Sequence, residues 1–79
     1  MLTIYSTTWC GRCRRLKAQF DREGVGYHEI DIEQDDTAAE FVSGLNGGNR
    51  TVPTVTFPDG TALTDPTFAE VQARLAASA

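Results

Sequence analysis

Two cysteines separated by two residues, Cys10 and Cys13, are the side chains of this sequence best suited to covalent chemistry. They follow a short apolar run at residues 2–5 and open a stretch in which Leu16 and Phe20 have the spacing of one helix face. A CxxC pair at a strand-to-helix junction is typical of a thiol–disulfide redox motif. The first turn of a helix has N–H groups without intrahelical partners, so it favours negative charge. A thiolate, which is the form that attacks a disulfide, is stabilised there.

The two cysteines are expected to differ in role because they occupy different positions in the helix. We expect Cys10 to be an exposed nucleophile at the helix end, facing the unpaired amides. Cys13 lies about one turn further in, where those amides are already used, so it serves at most as a resolving or tuning thiol. A structural disulfide is a weak alternative, since a bridge that closes so short a loop stabilises little. A zinc site would need four ligands, and the sequence offers two cysteines and one isolated His28.

Four of the seven basic residues fall within the six-residue span 12–17 that follows the first cysteine, namely Arg12, Arg14, Arg15 and Lys17. Cations in a first helical turn oppose the helix dipole, at a cost of about 0.3–1 kcal/mol each where they are exposed. Residues that oppose a local structural preference in this way are expected at a functional site. On that interpretation the missing negative charge is the Cys10 thiolate, with Arg12 or Arg14 beside it. The other interpretation is a solvated basic face, which applies most readily to Arg15 and Lys17.

Length and composition restrict the class of protein. The 79 residues make one domain, residues 1–79, and a hydrophobic share of 41% is enough for a small core. A formal net charge of −4 leaves no broad basic surface for nucleic acid. No apolar run is long enough to span a bilayer, and the N-terminus lacks a signal-peptide pattern. We therefore expect a cytoplasmic monomer with neither nucleic-acid nor membrane partners.

The hydrophobic pattern predicts the element order βαβαββα. Strands are expected at residues 2–5, 27–32, 50–57 and 61–63, and helices at residues 10–22, 38–45 and from about 67 onward. The first strand–helix–strand unit should have parallel strands. The first strand, short and largely apolar, suits a central position in the sheet.

Helix ends have their own sequence signals. The polar run Ser6-Thr7-Thr8 is expected to supply capping side chains to the first helix. Gly24 or Gly26 is expected to end that helix. The last helix should begin at Asp65-Pro66, or at a capping box made by Thr67 and Glu70.

Pro53 stands near the start of the β-branched run at residues 50–57. Proline has no N–H for a strand ladder, so it is confined to strand starts, edges or bulges. Since only about 5–6% of X–Pro bonds are cis, the residues alone predict a trans proline that starts a strand.

Taken together, these features resemble the glutaredoxin family, whose members have a thioredoxin-like fold. The resemblance rests on Trp9-Cys10-Gly11-Arg12-Cys13, on Thr51-Val52-Pro53 about forty residues later, and on the βαβαββα order. It is strongest to the mycoredoxins, the glutaredoxin-like enzymes of bacteria whose low-molecular-weight thiol is mycothiol. It implies an α/β fold with a four-stranded mixed sheet flanked by three helices. It also implies a cis Pro53 packed beside Cys10, with Val52 offering its backbone N–H and C=O to the substrate as an added strand would.

The sequence departs from glutathione-using glutaredoxins at the positions that hold the carboxylates of glutathione. Those proteins commonly have a lysine three positions before the first cysteine, where this chain has Thr7, and Pro-Tyr where it has Gly11-Arg12. They also carry a Gly-Gly and a nearby aspartate where this chain has Leu63-Thr64-Asp65-Pro66. Mycothiol has sugar hydroxyls in place of a γ-glutamyl carboxylate, so Thr64 and Asp65 are suited to it by hydrogen bonding.

The candidate site therefore consists of two catalytic cysteines and a set of substrate-binding residues, with no metal ligands and no bound cofactor. The catalytic pair is Cys10 and Cys13, and the substrate-binding candidates are Trp9, Arg12, Arg50, Thr51, Val52, Pro53, Thr64 and Asp65. Trp9 either shapes the substrate groove or only packs, and Arg50 is the weakest candidate of the set.

Three functions are compatible with these residues. The first, implied by the resemblance, is removal of mycothiol from protein mixed disulfides by a monothiol mechanism, with mycothiol as co-substrate and mycothiol disulfide reductase as an indirect partner. The second is a dithiol electron donor, reduced directly by a thioredoxin-type reductase and serving an enzyme such as ribonucleotide reductase. The third is an iron–sulfur cluster carrier, against which Cys13 argues because such glutaredoxins typically have serine there.

Overall fold

The computed structural model of the chain describes residues 1–78. Its elements follow the predicted βαβαββα order, and their bounds are β1 (Leu2–Ser6), α1 (Gly11–Glu23), β2 (Tyr27–Asp31), α2 (Asp36–Leu45), β3 (Thr54–Thr56), β4 (Ala62–Thr64) and α3 (Phe68–Ser78).

The four strands form one mixed sheet in the order β2-β1-β3-β4. β1 and β2 are parallel, with Leu2 opposite Tyr27, because α1 carries the chain back to the same end of the sheet. β1 and β3 are antiparallel, as are β3 and β4. The predicted parallel unit and the central position of β1 are confirmed. This topology places the end of β1, where the CxxC motif follows, beside the start of β3.

Alternation along β1 divides the core between the two faces of the sheet. Leu2 and Ile4 point to the face covered by α1 and α3, where the main buried cluster is Leu2, Ile4, Leu16, Phe20, Val55, Phe57 and Val71. Tyr5 points to the other face, where it packs against a cluster made by Ile32, Ala38, Ala39 and Val42. Full burial of a side chain the size of Phe20 stabilises the fold by roughly 1.5–3 kcal/mol. Helices on both faces hold the sheet, and with it the site, in place.

Most of the expected helix ends are present. α1 ends at Gly24, whose φ of 69° is the left-handed conformation that glycine adopts without cost. α3 begins with a reciprocal capping box, because the Thr67 N–H donates to Glu70 Oε1 at 2.9 Å and the Glu70 N–H donates to Thr67 Oγ1 at 3.1 Å.

The strand predicted at residues 50–57 is wrong in extent, since β3 covers only Thr54–Thr56. Pro53 precedes it with a cis Val52–Pro53 peptide bond. The trans proline expected from base rates is therefore wrong, and the cis proline implied by the family resemblance is confirmed. Residues 50–53 form a loop that leads into the sheet instead of extending the strand.

None of the helices within residues 1–78 has the length and the hydrophobicity that crossing a bilayer requires.

Candidate active site

The Cys10 sulfur caps the N-terminus of α1. Cys10 has an extended backbone, with φ −81° and ψ 110°, and its Sγ accepts a hydrogen bond from the Cys13 N–H at 3.2 Å. The capping atom is therefore the sulfur of the cysteine expected to be the nucleophile, and the expected capping by Ser6, Thr7 or Thr8 is wrong. A sulfur in this position lies at the positive end of the helix dipole. It also accepts a hydrogen bond from an amide of the first turn that has no intrahelical partner, and both interactions favour negative charge.

Cys10 is less accessible than the sequence predicts, with a residue exposure of 7%. The prediction of an exposed sulfur is therefore wrong. The sulfur lies against residues 51–53, which we call the cis-proline loop. The Cys10 Sγ lies 3.9 Å from the Val52 carbonyl oxygen, within the range of a weak S–H···O hydrogen bond. The helix end and the loop, more than forty residues apart in sequence, therefore meet at this sulfur.

Cys13 is fully buried, with 0% exposure, and both cysteines are free thiols. Loss of hydration on burial raises the pKa of the Cys13 thiol to about 12, with a further contribution from its hydrogen bond to Cys10. A hydrogen bond from the Thr7 backbone opposes this increase only in part. Cys13 is therefore a neutral thiol near pH 7, and its backbone N–H interacts with the Cys10 sulfur.

The cis-proline loop is held by the Thr54 side chain and by the Asp65 backbone. The Thr54 hydroxyl donates to the Thr51 carbonyl at 2.8 Å, and the Asp65 N–H donates to the Pro53 carbonyl at 2.7 Å. Pro53 is buried. Val52 packs against the buried cluster next to α2. These contacts fix the position of the Val52 carbonyl relative to Cys10.

Asp65 also joins the loop to the CxxC helix. Its carboxylate pairs with the guanidinium of Arg12, and its φ of 49° is in the left-handed region, which is rare for a residue with a side chain. The Arg12 side chain is 70% exposed and that of Asp65 is 34% exposed. One residue therefore contacts Pro53 through its backbone and α1 through its side chain.

The arginines near Cys10 have partners other than the sulfur. Arg12 is held by Asp65, and the Arg14 guanidinium donates to the Thr8 carbonyl at 3.1 Å. The group that donates a hydrogen bond to the Cys10 sulfur is the Cys13 N–H, and not Arg12 or Arg14 as the sequence interpretation expected.

The remaining predicted site residues are distributed around this centre. Trp9, next to Cys10, is 67% exposed. The Thr64 hydroxyl donates to Asn46 Oδ1 at 2.5 Å, so the end of α2 contacts the end of β4. Sequence reasoning did not predict this contact. Arg50 is exposed, and no hydrogen bond or ion pair connects it to the other site residues within 1–78.

In the described part of the chain, no three His, Cys, Asp or Glu side chains cluster closely enough to hold a metal ion.

Comparison with known proteins identifies the family. The family model described as glutaredoxin matches residues 2–61. The chain belongs to the glutaredoxin family. As a member of that family it is a thiol–disulfide oxidoreductase, with a CxxC motif and a cis-proline loop at its proposed centre.

Two curated relatives in this family span nearly the same length. A Mycobacterium tuberculosis protein named as a glutaredoxin is 57% identical over 74 residues, covering 94% of this chain and 88% of its own. Mycoredoxin 1 of Corynebacterium glutamicum is 49% identical over 78 residues, covering 99% of this chain and 96% of its own.

Solved structures support the fold. A thioredoxin-like protein, crystallised as a T8A mutant, superposes with a TM-score of 0.80 at 23% identity, over 95% of this chain and 99% of that one. The α/β thioredoxin-like fold and the mixed sheet expected from the sequence are confirmed.

Proposed function

We propose that this glutaredoxin-family protein reduces mixed disulfides between mycothiol and proteins, with Cys10 as the nucleophile of a monothiol mechanism. The observation that carries the proposal is the contrast between the two sulfurs. The Cys10 sulfur accepts a helix-terminal N–H and reaches the cis-proline loop. The Cys13 thiol is fully buried, and burial raises its pKa. These contacts support Cys10 as the reacting thiol and Cys13 as a residue that acts through its backbone N–H.

The proposed reaction consists of two thiol–disulfide exchanges. The Cys10 thiolate attacks the mycothiol sulfur of the mixed disulfide, so that a new S–S bond forms and the old one breaks. The client sulfur leaves with the electron pair and takes up a proton from water. The thiolate of a second mycothiol then attacks the mycothiol sulfur bound to Cys10, which releases mycothiol disulfide and restores the Cys10 thiolate. A separate mycothiol disulfide reductase closes the cycle, and we place this cycle in the cytoplasm.

The cis-proline loop supplies a docking edge for the substrate. The Val52 carbonyl lies 3.9 Å from the Cys10 sulfur, and residues 51–53 lie outside the sheet ladder. A substrate backbone that pairs with Val52 as an added strand would bring its sulfur next to Cys10. Thr51 and the exposed Trp9 flank this position and would form its walls.

Two features support mycothiol over glutathione. The first is 49% identity to a protein named Mycoredoxin 1 over nearly the whole chain. The second is the pair of residues at the end of β4, Thr64 and Asp65. Arg12 pairs with Asp65 Oδ2, which leaves Oδ1 as an acceptor for a sugar hydroxyl, and the Thr64 hydroxyl oxygen keeps a free lone pair.

The test of specificity is a pair of substrates that differ only in the small thiol. One peptide is prepared with its single cysteine joined either to mycothiol or to glutathione, and release of free peptide is followed with the matching thiol as reductant. We expect the mycothiol derivative to react about tenfold faster or more, the effect of one or two well-placed hydrogen bonds. Asp65→Ala should reduce the ratio of the rate with the mycothiol derivative to the rate with the glutathione derivative. A glutathione derivative that reacts as fast as the mycothiol derivative would contradict the proposed specificity.

A second candidate function, the dithiol electron donor, is favoured by one observation. The Cys13 N–H donates to the Cys10 sulfur at 3.2 Å and both thiols are free, so the two cysteines adjoin at the start of α1 as a pair that could close an intramolecular disulfide. This candidate predicts turnover with NADPH and a thioredoxin-type reductase in the absence of mycothiol, and complete loss of that turnover in Cys13→Ser. Both assays use the same protein preparations, so the two candidates can be compared directly.

A further inference from the structure

A groove between α1 and α3 begins next to the proposed active site. It has a volume of about 650 Å³, and its walls include Arg12, Arg15, Gln19, Asp65, Phe68 and Gln72. Arg12, Arg15 and Gln19 occupy successive turns on one side of α1, so the groove follows the helix away from the CxxC motif. Its near end is two residues from Cys10 in sequence and is formed by the Arg12–Asp65 ion pair.

The charges along α1 differ in how far they are neutralised. Lys17 Nζ lies 2.6 Å from Glu29 Oε2, and Arg12 pairs with Asp65. Within residues 1–78, Arg15 has neither a carboxylate partner nor a hydrogen bond through its guanidinium. Arg15 is exposed, and it lies on the wall of the groove. The groove therefore presents one uncompensated cation in a chain whose net charge is −4.

We propose that this groove binds an acidic segment of the client protein, adjacent to the client's disulfide-bonded cysteine, and that Arg15 is the cation that contacts it. A client whose cysteine is joined to the thiol that Cys10 attacks has its neighbouring residues close to Cys10, at the near end of the groove. An aspartate or glutamate a few residues from the client cysteine reaches Arg15. The other acidic residues of the chain repel this acidic segment, which disfavours other orientations of the client. The inference rests on the proposed function only in taking a protein as the substrate.

The experiment measures peptide recognition without any mycothiol, so that its failure is separate from a failure of the proposed function. Two peptides share one cysteine, activated as a mixed disulfide with 5-thio-2-nitrobenzoate, and differ only in acidic residues replaced by their amides. The Cys10 thiolate attacks the peptide sulfur, the peptide joins Cys10, and the coloured thionitrobenzoate leaves with the electron pair. The second-order rate constant for its release is the readout.

The wild-type protein should react faster with the acidic peptide by about two- to fivefold, the effect of one exposed ion pair. The preference should fall as salt rises from about 0.01 M to about 1 M, since the screening length falls from about 30 Å to about 3 Å. Arg15→Gln should abolish the preference, and Arg15→Glu should reverse it. The rate with 2,2′-dithiodipyridine, a disulfide without charge at neutral pH, should be unchanged in Arg15→Gln, because Arg15 does not touch the sulfur.

Arg22→Gln is the matched control. Arg22 is an exposed arginine on the same helix, about 10 Å further from the CxxC motif. It should keep the preference for the acidic peptide. Equal rates for the two peptides with the wild-type protein would overturn the proposal. So would an equal loss of preference in Arg15→Gln and Arg22→Gln, since that would indicate a general charge effect.

Discussion

The backbone N–H of Cys13 lies 3.2 Å from the Cys10 sulfur and donates a hydrogen bond to it. The second cysteine of the motif thus stabilises the first through its main chain, which every residue except proline can reproduce. Its side chain is fully buried and forms part of the interior beneath the site. The role of the Cys13 backbone and the role of its side chain can therefore be tested separately by mutation.

The first prediction concerns the two cysteines. Cys13→Ser keeps the N–H that contacts Cys10, so it should remove mycothiol from a mixed disulfide within about a factor of two of the wild-type rate, about 0.4 kcal/mol in the barrier. Cys10→Ser should fall to the uncatalysed rate because the nucleophile is lost. Initial rates with a mycothiolated peptide measure both. A Cys13→Ser protein that is correctly folded by circular dichroism but inactive would rule out the monothiol mechanism.

The second prediction is a pH dependence of stability. Folding raises the pKa of Cys13 from 9.0 to about 12, so the folded protein holds a proton that the unfolded chain loses. The stabilising contribution is complete below pH 9 and disappears as pH rises toward 12. In that window the free energy of unfolding should fall by up to about 1.4 kcal/mol per pH unit from this group alone.

Cys13→Ala provides the comparison for this pH dependence. The variant should be less stable at every pH because of the cavity that it creates, but its stability should decline less steeply between pH 9 and pH 10.5. Urea unfolding under reducing conditions measures both curves. Parallel curves for the two proteins would mean that Cys13 has an ordinary pKa.

The third prediction concerns the backbone of Asp65. Its φ of 49° suits glycine and is unfavourable for a β-branched residue. Asp65→Gly and Asp65→Val both lose the ion pair with Arg12, while both keep the N–H that donates to Pro53. The ion pair alone is worth no more than about 1 kcal/mol, because Arg12 is 70% exposed. The glycine variant should therefore be more stable than the valine variant, by about 1–3 kcal/mol.

Thermal or urea unfolding of the two variants gives this difference directly. Asp65→Asn is the control, since asparagine tolerates the left-handed conformation better than most residues and removes only the charge. If the valine variant proved as stable as the glycine variant, the conformation of Asp65 would not be a constraint on the fold.

The sequence predicted the fold more completely than the site because the signals for elements are local. The short apolar run of β1, the glycine after α1, and the Thr67–Glu70 capping box each lie within a few residues, and each was confirmed. The limits of β3 were less predictable, because Pro53 excludes the residues before Thr54 from the ladder. The β-branched residues continue on both sides of Pro53, so their pattern does not show where the strand begins.

The contacts that build the site join residues distant in sequence, so residue types alone did not predict them. The burial of Cys10 depends on Val52, and the partner of Arg12 is Asp65. Thr64 contacts Asn46, which the sequence indicated only as a helix end. The resemblance to a family supplied the pairing of Cys10 with Pro53. It did not supply the ion pair that engages Arg12.

The last prediction concerns Glu29, whose carboxylate lies beneath the start of the site. Glu29 Oε2 accepts hydrogen bonds from Lys17 Nζ at 2.6 Å and from the Ser6 hydroxyl at 2.7 Å. These two donors, Lys17 first, lower the pKa of Glu29 below its ordinary value of 4.5. Since the folded pKa is the lower one, the stabilisation is present above pH 4.5 and is lost as pH falls through the folded pKa.

Glu29→Gln should therefore be less stable than the wild type near pH 7, by no more than about 1 kcal/mol because the Glu29 side chain is 39% exposed. The difference should shrink as pH falls below 4.5 and through the lowered pKa of Glu29, and should approach zero once the wild-type carboxyl is protonated. Glu40→Gln, at an exposed position on α2, is the control and should show no such convergence. Urea unfolding at pH 7, 5 and 3 measures these differences. A deficit in Glu29→Gln that stays constant over this range would show that the carboxylate charge contributes nothing at this position, and that the loss comes from altered packing around Ser6.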